Sequence, residues 1–102
     1  MAKFLLITRG GTIPESPEEG ARVMQAWMDW FTVLGAAIVD PGSPVSRVRI
    51  IAADGSDRAG DAQSVTGYTV VEVADIEAAV ALAKRAPLTD SMSMEVAETA
   101  RM

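Results

Sequence analysis

The segment from Thr66 to Pro87 constrains this chain more than any other, because it encodes a strand, a helix start, a helix face and a helix stop in that order. Residues 67–73 are β-branched and aromatic, with Tyr68, Val70 and Glu72 on one face and Thr69, Val71 and Val73 on the other. Asp75 is a natural N-cap, and Glu77 adds negative charge at the positive end of the helix. Ile76, Ala79, Val80 and Ala83 form the stripe expected to be buried, Lys84 and Arg85 sit at the negative end, and Pro87 forbids continuation. The segment defines an architecture and leaves the chemistry open.

The rest of the chain supplies the partners of this unit. Residues 2–8 read as a strand covered on both faces, since Phe4, Leu5, Leu6 and Ile7 are apolar without alternation, and Arg9-Gly10-Gly11 ends it. That Arg-Gly-Gly lacks a downstream Gly-Lys-Ser/Thr and reads as a turn rather than a phosphate loop. Ser16 can cap a helix, Pro17 suits its first position, and Glu19 completes a capping box. The helix is expected over residues 17–34, stopping at Gly35. Arg22, Gln25, Asp29 and Thr32 mark its polar stripe; Val23, Trp27, Trp30, Phe31 and Leu34 mark the apolar one, which Met24 and Met28 widen.

Residues 36–39 form a short apolar strand that ends at Asp40-Pro41-Gly42. Residues 46–52 alternate cations and aliphatics before an Asp54-Gly55 turn, so the two stretches make one bent strand or two short ones. Residues 54–64 are polar and read as a solvated loop; Asp57 and Asp61 join Asp54 there, but the spacing is not that of a calcium loop. A last strand over residues 92–97 alternates Met92, Met94 and Val96 with Ser93, Glu95 and Ala97. The 102 residues then make one domain with a ferredoxin-like β-α-β-β-α-β order and a mostly antiparallel sheet, an α+β fold. Helices on one side leave the other sheet face bare, although the strands carry apolar residues on both. The expectation is a homodimer through the sheet faces.

Composition narrows the chemistry. There is no cysteine, which excludes disulfides, thiolate metal sites and thiol nucleophiles, and no histidine, which removes the usual general base and commonest metal ligand. No metal and no cofactor is expected. Fourteen acidic against nine scattered basic residues, a net charge of −5, argue against a nucleic-acid partner. No apolar run is long enough for a signal peptide or a membrane span, so the expected location is the cytoplasm.

Polar groups near strand ends and on the inner sheet face are the candidates for a site. Asp40 is a possible general base, although Asp before Pro-Gly is also a turn former. Glu72 interrupts an apolar strand; burial there would demand a partner such as Arg9, or would raise its proton affinity. Arg9, Tyr68 and Glu95 are the candidate ligand-binding residues.

Several motifs together resemble the YCII-related, or DGPF-domain, family of small bacterial proteins. They are Lys3-Phe4-Leu5-Leu6-Ile7, Ser16-Pro17-Glu18-Glu19, Trp27 and Trp30 to Gly35, Val39-Asp40-Pro41-Gly42 and Ala53-Asp54-Gly55. Val65-Thr66-Gly67-Tyr68, Ala74-Asp75 with Ala78-Ala79, Pro87 and Glu95-Val96 extend the likeness over nearly the whole chain. The resemblance implies a dimeric α+β barrel and a pocket between sheet and helices. Some members carry a His–Asp pair; here Met24 stands at the histidine's place, and Asp54-Gly55 continues as Ser56-Asp57 instead of the family's Pro-Phe.

Three functions are compatible with these residues. The first is a homodimeric binding or accessory protein for a small apolar metabolite. The second is a carboxylate/tyrosine isomerase or cofactor-free monooxygenase-like enzyme in which Asp40 or Glu72 is the base and Arg9 steadies an oxyanion. The third is a protein-interaction module working through residues 54–64 or the aromatic helix.

Overall fold

In a computed structural model that describes residues 1–100, the chain is an α+β protein with two helices on an antiparallel sheet. The elements are β1 (Ala2–Gly10), α1 (Pro17–Leu34), a 3-10 turn (Gly35–Ala37), β2 (Ile38–Asp40), β3 (Arg49–Ile51), β4 (Asp57–Ala59), β5 (Val65–Val73), α2 (Ile76–Ala83) and β6 (Met92–Glu98). The main sheet has the order β2-β5-β1-β6, all antiparallel, and β3 with β4 makes a separate two-stranded ribbon. This arrangement is compatible with a ferredoxin-like fold carrying a ribbon insertion.

Local chemistry accounts for both helices. Ser16 Oγ accepts the Glu19 N–H at 3.1 Å, Pro17 occupies the first helical position, and α1 spans the expected residues 17–34. The carboxylate of Glu19 reaches back to the N–H of Glu15 at 3.0 Å, one residue before the cap, so the box closes on a neighbour of the expected donor. At the far end Gly35 takes φ 51° and its N–H bonds to Phe31 O. Asp75 caps α2 through the Ala78 N–H at 2.9 Å.

The core lies between the sheet and the helices. Phe4, Leu6 and Val71 are wholly buried and pack with Trp30, Leu34 and Ala79. The indole N–H of Trp30 donates to the Leu82 carbonyl at 3.0 Å, so a large polar aromatic is buried with its N–H satisfied. No buried side-chain nitrogen or oxygen lacks a partner among the described residues.

Several expectations are corrected. The first strand runs two residues further, to Gly10, and burial alternates along it, with Phe4, Leu6 and Thr8 buried and Leu5, Ile7 and Arg9 half-buried. Of the supposed apolar face of α1, Val23, Met24 and Met28 are exposed, because the sheet covers only the Trp30–Leu34 side. Ile76 is exposed rather than buried, and residues 35–37 form a 3-10 turn before a strand that starts at Ile38. Residues 54–64 are not simply a loop. Asp57–Ala59 pairs with Arg49–Ile51, and the turn between them closes through Ala52 N–H to Ser56 O and Gly55 N–H to Ala52 O.

Candidate functional site

The alternation of β1 sorts the candidate residues onto one surface. Ladder partners share a face, so Lys3 with Glu72, Leu5 with Val70, and Ile7 with both Tyr68 and Glu95 lie opposite the helices. Leu5, Ile7 and Val70 are half-buried and Tyr68 is exposed, forming an apolar strip that no helix covers among the described residues. Arg9, Tyr68 and Glu95 are therefore brought together, and Glu72 shares their face from the other end.

Arg9 is held by the local folding of two strands. The β1–β5 register shifts between Thr8 and Arg9, and Thr66 Oγ1 donates across this irregularity to the carbonyls of Gly10, at 3.0 Å, and Thr8, at 3.3 Å. Gly10 follows with φ 74°, where a Cβ would stand 2.2 Å from Ser91 O, so only glycine fits this close approach. The Arg9 Nε then donates to the Glu95 carboxylate on β6, and Nη1 donates to the Gln63 carbonyl at 3.2 Å. Both partners of the ion pair are partly solvated, at 35% and 52% exposure of their side chains, so its net contribution to stability is about 0.2–1 kcal/mol.

Glu72 is not the partner of Arg9. It pairs in register with Lys3, six residues away from Arg9 along β1, which puts about 20 Å between the two positions. Lys3 and Glu72 face each other in the ladder without closing an ion pair. Asp40 is exposed at the end of the edge strand β2, and its Oδ1 accepts the Gly42 N–H at 2.8 Å. That bond makes it the turn former of the Pro41-Gly42 corner.

The three aspartates around the ribbon are each engaged locally. Asp54 accepts from the Ser56 hydroxyl and N–H, which hold its carboxyl below the ordinary aspartate range. Asp57 pairs with Arg49, and Asp61 accepts the Gln63 N–H at 2.9 Å. Among the described residues no three acidic side chains gather as a metal site would require. A surface cleft of about 290 Å³ lies at the foot of the ribbon between Val45, Val48, Gly60 and Val65, and none of Arg9, Asp40, Tyr68, Glu72 or Glu95 lines it.

Three residues that sequence reasoning passed over belong to this surface: Lys3 opposite Glu72, Gln63 through its carbonyl, and Ser93 opposite Arg9. Their positions depend on strand order and on the ribbon's return path, for which the linear sequence carries no local signal. Chemically the surface offers an apolar floor, a phenol, a fixed guanidinium and one carboxylate at each end. Compared with family models, with curated proteins and with solved structures, the chain matches none of them. Among the described residues, no helix is long and apolar enough to cross a membrane.

Proposed function

We propose that this chain is a YCII-related cytoplasmic protein that works as a homodimer of the dimeric α+β barrel type. It binds a small, largely apolar metabolite and performs no histidine-based chemistry. The observation that carries this reading is the uncovered strip of Leu5, Ile7, Tyr68 and Val70, bounded at each end by charges of both signs. From strand spacing and rise, the four-stranded face offers roughly 450 Å² per protomer in plan, so a pair approaches the roughly 1,000 Å² of a specific interface.

The helix–sheet interior is filled by Phe4, Leu6, Trp30, Leu34, Val71 and Ala79, which moves the expected ligand from that layer to the Arg9 and Tyr68 end of the sheet face and leaves its Leu5–Val70 middle for the contact between copies. The same filled interior favours a second reading, a pure interaction module with no ligand. Sedimentation equilibrium at micromolar concentration tests the dimer, and a thermal-shift screen against small metabolites separates the two readings. A monomeric mass overturns the first; a dimer that no metabolite stabilises favours the second.

A further inference from the structure

We propose that Arg9 anchors the carboxylate of a monoanionic ligand whose apolar or aromatic body lies over Ile7 and Tyr68; this rests on the reading of the sheet face as the ligand surface. The guanidinium is fixed from two sides, by Glu95 on β6 and by the Gln63 carbonyl in the segment entering β5. These bonds use one N–H of Nε and one of Nη1, so three of the five guanidinium donors have no partner among the described residues. A planar fork already oriented and only partly used is suited to a carboxylate, which takes two parallel N–H bonds.

Charge and neighbourhood select the ligand class further. The protein carries −5 overall, and Lys3, on the same face, lies about 20 Å away along β1, so among the described residues Arg9 is the cation of this face nearest Tyr68. Glu95 stands next to Arg9 and repels any anion there, a phosphate dianion more strongly than a single carboxylate. Ile7 and Tyr68 lie directly opposite each other in the ladder, next to Arg9, and supply a floor for a ring or a short chain. Ser93, the residue facing Arg9 on β6, is small and exposed and leaves room for the carboxylate to approach.

The test uses the full chain and three carboxylates, benzoate, phenylacetate and hexanoate, each against its neutral amide, followed by amide chemical-shift titration. At least one carboxylate is expected to perturb Ile7, Arg9, Tyr68 and Ser93 and to bind about tenfold or more tightly than its amide. Arg9→Met is expected to abolish that preference and Arg9→Lys to retain part of it. Glu95→Gln, which keeps an acceptor for Arg9 but removes the competing charge, is expected to tighten the carboxylate and leave the amide unchanged. Equal binding of acid and amide, no binding of any carboxylate, or a preference surviving in Arg9→Met overturns the assignment; so does Glu95→Gln leaving the carboxylate unchanged, should Arg9→Met fail to fold. Sedimentation of the same samples keeps the two proposals apart: a monomer that shows the Arg9-dependent preference upholds the anion site and overturns the dimer, and a dimer without it does the reverse.

Discussion

Trp30 on α1 and Leu82 on α2 are joined by an indole N–H to carbonyl bond of 3.0 Å, which ties the two helices to each other above the sheet. Trp30 is also the largest side chain of the core, 3% exposed, with Trp27 against it edge to face at 5.4 Å. Replacing Trp30 by Phe removes the indole donor and part of the core volume, and leaves the Leu82 carbonyl with the Arg85 N–H at 3.1 Å. The expected loss is about 1–3 kcal/mol in urea unfolding at fixed protein concentration, and about 3–5 kcal/mol for Trp30→Ala. A Phe variant as stable as the parent would show that the bond between the helices contributes nothing.

Gly42 sits at φ 73°, and a Cβ there would stand 1.8 Å from the Tyr68 carbonyl oxygen. Neither partner can yield, since both are backbone and Thr69 Oγ1 also donates to Pro41 O at 3.1 Å in the same corner. Gly42→Ala is therefore expected to cost more than the roughly 1–2 kcal/mol of a left-handed residue alone, and to shift the amide resonances of Tyr68 and Thr69. Gly55, at φ 90° with nothing within 4 Å, provides the control: Gly55→Ala should show the conformational cost without the clash.

Leu5 occupies the middle of the uncovered sheet face, between Val70 and Ala97. Leu5→Lys puts a charge there that the single chain can solvate and a face-to-face pair cannot. Sedimentation should show dissociation to monomer at micromolar concentration, with the far-ultraviolet dichroism of the fold retained. Loss of the fold itself would mean that Leu5 supports the protomer core rather than a contact between copies.

Asp54 holds the ribbon turn through two bonds from Ser56, to N–H and to hydroxyl, and its carboxyl titrates below the 3.8 of a free aspartate. A folded value lower than the unfolded one means that ionised Asp54 stabilises the turn above about pH 4, and that this contribution fades as pH falls through the lowered folded value. The Ser56 amide shift should titrate with a midpoint under 3.8, and Asp54→Asn should remove the transition. A midpoint at or above 3.8 would contradict the geometry of the turn.

Much of the fold was legible because its signals are local. The cap at Ser16, the proline at position 17, the cap at Asp75 and the break before Pro87 act within one helical turn, and both helices begin where those residues place them. The two-faced pattern of Tyr68, Val70 and Glu72 against Thr69, Val71 and Val73 follows from the period of a strand alone. β4 was not legible, because Asp57-Arg58-Ala59 has no β-forming residue and forms a strand only by being folded back onto Arg49–Ile51. The Asp54-Gly55 turn between two segments of opposite direction was the available signal for that hairpin.

The candidate site divides along the same line. Sequence alone singled out Arg9, Asp40, Tyr68, Glu72 and Glu95 as polar groups near strand ends or on the sheet, and it excluded histidine and cysteine chemistry outright. Only the tertiary structure decided that Arg9 meets Glu95 and not Glu72, because that choice depends on β6 lying beside β1 and on a register linking residues 86 positions apart. It also decided which side of the sheet the helices cover, leaving Leu5, Ile7 and Val70 bare while Phe4, Leu6 and Val71 are buried. Apolar residues on both sides of a strand record that both faces need covering, and long-range packing selects which face each layer takes.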